Sequence, residues 1–150
     1  MLTVRDVLNT KQKDIWSIDP RSTAYKALQI MAEKDIGALL VINEGQLVGI
    51  FSEKDYARKV ILKGKSSKET SVGELMTREV YSIAPDRPIE ECMALMSATR
   101  SRHMPVFENN QLVGIVALGD IVNAIISKQE IIIHDLENYI RGDEYMHINP

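Results

Sequence analysis

The 150-residue sequence has a single cysteine, five prolines and no long apolar run, and each scarcity closes off a class of protein. One cysteine, Cys92, excludes a disulfide framework or a cysteine metal centre within one chain, and it stands where helical spacing asks for an apolar residue. No uninterrupted apolar stretch reaches the ~20 residues that span a bilayer. The opening residues Met1-Leu2-Thr3-Val4-Arg5-Asp6 put charge where a signal peptide needs its apolar segment, so a reducing, cytoplasmic setting is expected. The net charge of −3 and pI ≈ 5.6 come with no basic block, which argues against nucleic acid as a partner. HExxH, GxxxxGK[ST] and GxGxxG are all missing, and His103, His134 and His147 do not pair with a nucleophile at any diagnostic spacing. A non-catalytic chain with no metal requirement is the expectation.

What is present is a repeat. Gln46-Leu47-Val48-Gly49-Ile50 recurs as Gln111-Leu112-Val113-Gly114-Ile115, and 111 − 46 = 65 sets the period. Each copy ends in an aspartate at the same place, Asp55 and Asp120. The surrounding segments repeat too. Thr3 to Leu8 and Ser71 to Met76 read as short amphipathic helices, and Ile15 to Ile18 and Val80 to Ile83 as short strands halted by Asp19-Pro20 and Ala84-Pro85. Ala24, Ala27, Leu28, Ile30 and Met31, like Ile89, Cys92, Met93, Leu95 and Met96, follow helical spacing. Gly37 to Ile42 and Met104 to Phe107 suit buried strands. Asn43-Glu44-Gly45 and Glu108-Asn109-Asn110 are hairpin turns leading into the repeated pentapeptide, and Glu53 to Leu62 and Leu118 to Ser127 are closing helices.

The expected fold class is therefore α/β, two tandem repeats of α-β-α-β-β-α packed about a pseudo-two-fold axis, with a C-terminal helical tail. The expected boundaries are residues 1–64, 65–127 and 128–150, with Gly64 to Thr70 as a polar linker. Units of about sixty residues are individually marginal, so the two should support each other. In the tail, Ile132, Leu136, Tyr139 and Ile140 form a stripe that either packs back on its own chain or makes a homodimer contact.

The repeated element has two readings. Ser52 and Asp55 have the spacing of an N-cap and its reciprocal partner, which explains them as a plain cap. The same helix start carries unpaired N–H groups that attract phosphate, and its carboxylate suits a ribose diol. The copies are unequal: Ala117 stands opposite Ser52, and Gly37 and Ala38 stand opposite Arg102 and His103. By residue type alone Arg102 and His103 read as a solvated turn before a buried strand, Arg58 as a residue that faces water, and Trp16 and Tyr81 as core aromatics; a ligand's phosphate and base are the other roles open to them if the repeats form a nucleotide site, as the resemblance below implies.

The duplicated glycine, apolar, apolar, Ser/Thr, two residues, Asp pattern, with Ala117 at the Ser/Thr place of the second copy, the Asp-Pro and Ala-Pro before the long helices, Met104-Pro105-Val106 and the 65-residue period together resemble the paired CBS domain, or Bateman module, over residues 1 to 141. Glu53 to Val60 and Leu136 to Ile140 look like its small stand-alone bacterial members, which carry no enzyme domain. The resemblance implies an adenosine nucleotide (AMP, ADP, ATP or NAD) in the cleft between repeats, each site drawing on the helix start of one repeat and the first strands of the other. Grouped in that way, a main site collects Ser52, Lys54, Asp55, Arg58, Tyr81, Arg102, His103 and Pro105, and a weaker second site Trp16, Gly37, Ala38 and Asp120, beside Ala117 and Gly119. It implies a regulatory sensor read by a target protein, flat pairing of modules into a homodimer, and no nucleic acid or membrane partner. An oligomerisation scaffold with a vestigial pocket is the alternative.

Overall fold

The computed structural model describes residues 1–11, 14–129, 134 and 136–138. Of the tail stripe expected over Ile132, Leu136, Tyr139 and Ile140, only Leu136 is among the described residues, and it is exposed. The chain divides into two compact units, and the division does not follow the sequence repeat.

One unit spans Asp14–Ser82. Its sheet runs β1 (Ser17–Ile18), β2 (Ala38–Asn43), β3 (Gln46–Ser52), with β1 parallel and β3 antiparallel to the central β2. Ala38, Leu39, Leu40 and Val41 are all buried, as the unbroken apolar run demands. The helix α2 (Ala24–Lys34) starts where Thr23 accepts a hydrogen bond from the Lys26 N–H, and it lays Ala24, Ala27 and Met31 on the sheet. After β3 come a one-turn helix α3 (Glu53–Tyr56) and, where the sequence reads as one continuous helix, a π-helical stretch over Ala57–Ile61. The unit is completed by α4 (Val72–Leu75) from beyond the linker. Val72, Leu75 and Met76 join Leu39, Val41 and Phe51 in one core, and Thr77 pairs with Ile50 through reciprocal backbone bonds of 2.8 and 3.0 Å.

The other unit is the N-terminal helix with the described residues from Ile83 onward. Here α1 (Val4–Thr10), opened by a capping box between Thr3 and Asp6, packs with α5 (Ile89–Thr99), β4 (His103–Glu108), β5 (Gln111–Ala117) and α6 (Leu118–Lys128). Val4, Val7, Ile83, Ile89, Cys92, Met96, Met104, Val106, Val116 and Ile121 form its core. The expected first strand of this copy, Val80 to Ile83, shrinks to a single parallel bridge between Ile83 and Val106.

The repeat is otherwise carried into fine detail. Both hairpins turn on two residues of positive φ, Glu44 and Gly45 in one and Asn109 and Asn110 in the other, the geometry that matches strand twist. Both slip register two pairs away from the turn, between Val41 and Ile42 and between Val106 and Phe107. The long helices end on left-handed residues 65 apart, Asp35 and Arg100.

Candidate functional site

In each unit a hairpin strand delivers the chain into a helix whose third residue is the repeated aspartate. In the first copy Ser52 has extended backbone, φ −116°, and caps α3. Its hydroxyl accepts from the Asp55 N–H at 3.1 Å and donates to Asp55 Oδ2 at 3.0 Å, while its N–H donates to the same oxygen at 3.0 Å. The other oxygen, Oδ1, accepts from the Thr77 hydroxyl at 3.1 Å and pairs with the Lys59 ammonium at 3.1 Å. That ammonium also donates to the Leu75 carbonyl at 2.9 Å. Only 7% of the Asp55 side chain is exposed, so this carboxylate is buried and engaged at both oxygens.

The second copy solves the same problem with other residues. Ala117 has no hydroxyl, so the box keeps only its backbone half: the Ala117 N–H donates to Asp120 Oδ2 at 2.8 Å. The second donor to Oδ2 is Lys11, whose ammonium lies 2.7 Å from it and also donates to the Ile115 carbonyl at 2.7 Å. The Asp120 side chain is 24% exposed, and among the described residues no donor engages Oδ1.

The residues expected at the two sites fall as follows. Ser52, Lys54, Asp55 and Arg58 share the α3 start and its π-helical extension, with Lys54 and Arg58 exposed. Gly37 and Ala38 lie against them: Ala38 pairs with Ser52, and the Gly37 carbonyl accepts from the Glu53 N–H at 3.1 Å. Trp16 packs on the same unit's core with the Lys34 ammonium 4.3 Å from its ring centroid, so one face of the indole is taken. Tyr81, at the end of this unit, is exposed and donates its hydroxyl to Glu79 at 2.7 Å; that bond, with the charge behind it, raises the phenol pKa. Arg102, His103 and Pro105 belong to the other unit, beside Asp120. The Arg102 carbonyl accepts from the Leu118 N–H at 2.9 Å, His103 pairs with Ala117, and Pro105 is buried. Desolvation pushes the His103 imidazole below its usual pKa, aided by Lys11 and Arg102 and opposed by Asp120. It is a neutral hydrogen-bonding group at pH 7 rather than a third cation.

Three residues that touch the carboxylates were not among those expected: Lys59, Thr77 and Lys11. Lys59 is four residues after Asp55, and that helical spacing was a usable signal. Thr77 and Lys11 come from 22 and 109 positions away and carry no local one. None of the expected residues lines the open concavity of about 510 Å³ walled by Tyr25, Leu28, Gln29, Tyr56, Ser67 and Lys68. Among the described residues no group of three histidine, cysteine or acidic side chains could hold a metal ion, and no helix is long and apolar enough to cross a membrane.

The model of the CBS domain matches the sequence twice, over residues 4–61 and 72–127. The chain belongs to the CBS-domain family. "CBS domain-containing protein CBSX3, mitochondrial" of Arabidopsis thaliana is 35% identical over 93% of this chain and 72% of its own length. A putative signal-transduction protein with CBS domains from Burkholderia ambifaria superposes with a TM-score of 0.83 at 42% identity, covering 85% of this chain and 96% of that one. The CBS domain pair of protein MJ0100, solved with 5′-methylthioadenosine and S-adenosyl-L-methionine, superposes with a TM-score of 0.75 at 27% identity, covering 86% and 99%. The family match starts each repeat at a helix, Val4 and Val72, yet each of those helices completes the core of the unit built from the other repeat's strands.

Proposed function

We propose that this CBS pair is a non-catalytic regulatory module that binds an adenosine-containing ligand and presents the bound form to a target protein. The observation that carries the reading is the carboxylate at the third position of a helix start, built in both units and fixed through the N-cap N–H at 3.0 and 2.8 Å. A fixed carboxylate accepts hydrogen bonds from a ribose diol. The likeness to the MJ0100 pair, which holds two adenosine compounds, supports the ligand class. In the proposal the residues that meet ligand are Ser52, Lys54, Asp55, Arg58 and Tyr81 with Trp16, Gly37 and Ala38 in one unit, and Arg102, His103, Pro105 and Asp120 in the other. Lys54, Arg58 and Arg102 supply the charge for phosphate, His103 a neutral hydrogen bond. Homodimer formation and a cytoplasmic setting belong to the same proposal.

One observation favours the alternative, an oligomerisation scaffold: Asp55 has both oxygens engaged, so a ligand there must displace a donor. Thermal unfolding with AMP, ATP, NAD or S-adenosylmethionine separates the two. A ligand at about 100 times its Kd adds roughly 2.7 kcal/mol, a rise of several degrees. A melting temperature unmoved by all four at millimolar concentration establishes the scaffold instead.

A further inference from the structure

The residue types rank the first copy above the second, because Ala117 has lost the hydroxyl that Ser52 keeps. The hydrogen bonds rank them the other way. At Asp55, Oδ2 is held by the Ser52 N–H and hydroxyl, and Oδ1 by Thr77 and Lys59. At Asp120, Oδ2 is held by the Ala117 N–H and by Lys11, at 2.8 and 2.7 Å. Lys11 thus occupies on Oδ2 the place that the Ser52 hydroxyl occupies in the first copy. Its second bond, to the Ile115 carbonyl, pins the ammonium on the strand side of the helix start. Among the described residues Oδ1 receives no donor, and the side chain is 24% exposed against 7% for Asp55.

We propose that Lys11 is a positioning residue that replaces the missing N-cap hydroxyl, and that it makes the second copy the ligand-competent one, with Asp120 Oδ1 offered to the ribose. The inference rests on the adenosine-ligand reading above and names which copy acts and why. A charge-assisted bond to one oxygen of a carboxylate fixes the direction of the other. Orienting an acceptor before the ligand arrives lowers the ordering cost of binding. Asp55 has no comparable vacancy, so it serves its own helix start first. The substitution Ser to Ala at the cap, read alone as decay, is then a change of partner, in which Lys11, the residue that follows α1, takes over a task that its own repeat performs locally.

The test is titration calorimetry with AMP and with S-adenosylmethionine on wild type, Lys11→Met, Lys11→Met/Ala117→Ser and Asp55→Asn. In parallel, the Asp120 side-chain carboxyl carbon is followed by NMR in the ligand-free proteins. Lys11→Met is expected to weaken binding about tenfold or more, the loss typical of a hydrogen bond to a charged group. Ala117→Ser restores a cap hydroxyl to Oδ2 and is expected to recover most of that loss, which a merely destabilised fold would not do. Asp55→Asn is expected to weaken binding less than Lys11→Met. Wild-type affinity in Lys11→Met, or no recovery in the double variant, overturns the inference. A wild type that binds neither compound, with the Asp120 resonance shifting in Lys11→Met and returning in the double variant, overturns the ligand reading and leaves Lys11 as the cap's replacement.

Discussion

At the scale of single residues the second copy is governed by charges gathered around a half-buried strand. His103 pairs with Ala117 at the sheet edge, near Asp120, Lys11 and Arg102. Burial favours its neutral form and lowers its pKa from 6.5, with Asp120 opposing the shift and Lys11 and Arg102 adding to it. The folded imidazole therefore binds a proton less readily than the unfolded one. Between the folded pKa and 6.5 the unfolded state holds more protons, so stability rises with pH through that window. Above 6.5 the effect is absent; below the folded pKa it is complete. Denaturant unfolding of wild type and His103→Gln at pH 7.5 and 5.5 checks this. Wild type should lose more stability on acidification than the variant, and equal losses would show the imidazole to be indifferent to folding. Cys92 illustrates the opposite case of a group silenced by its surroundings: fully buried, its thiol is pushed up to about 11 by desolvation, so the lone cysteine packs rather than reacts.

At the scale of elements, the two repeated glycines look interchangeable in the sequence and differ in the fold. A Cβ on Gly49 would lie 2.6 Å from Met76 Sδ and 2.9 Å from the Thr77 carbonyl oxygen. That carbonyl accepts from the Ile50 N–H, so it cannot retreat without opening the bridge that ties the α4 segment to β3. The three atoms nearest a Cβ on Gly114 all belong to the Leu8 side chain, the closest at 2.8 Å, and a leucine rotamer can yield. Gly49→Ala is expected to cost about 1–3 kcal/mol of stability by overpacking, and Gly114→Ala distinctly less, measured by urea unfolding. Equal costs would mean that the α4 segment moves as freely as a side chain. Elements with a periodic signal were legible from the sequence: the α2 and α5 stripes, the unbroken runs of β2 and β4, and the Glu44-Gly45 and Asn109-Asn110 turns all stand where residue types put them. The π-helical turn after Tyr56 and the loss of a strand at Val80 to Ile83 have no signal in the local pattern. The donors Thr77 and Lys11 escaped because they reach their carboxylates from far along the chain. Local pattern cannot report a contact whose other half lies 109 residues away.

At the scale of the whole molecule the instructive mismatch is between repeat and folding unit. Counting along the sequence, residues 1–64 form the first repeat; the contacts instead close one unit over Asp14–Ser82. Every residue of that unit's core lies between Ile18 and Met76, including Val72, Leu75 and Met76, which a cut at the repeat boundary removes. A fragment of residues 1–64 would expose Leu39, Val41 and Phe51, lose the Thr77 hydroxyl from Asp55, and carry Val4 and Val7 with nothing to cover them. A fragment of residues 14–82, 82 − 14 + 1 = 69 residues, keeps its whole core and all four donors to Asp55. Domains of this size bury only about 60% of their unfolded surface, so its stability should be small, but it should be cooperative. Circular dichroism melts of the two fragments decide the matter. The 14–82 fragment is expected to unfold in one sigmoidal transition, and the 1–64 fragment to show none. The reverse outcome would make the sequence repeat the folding unit and α4 a passive attachment. That result would also remove the physical reason for exchanging helices between repeats, which is that each sheet's exposed glycine strand is sealed by a segment the other repeat supplies.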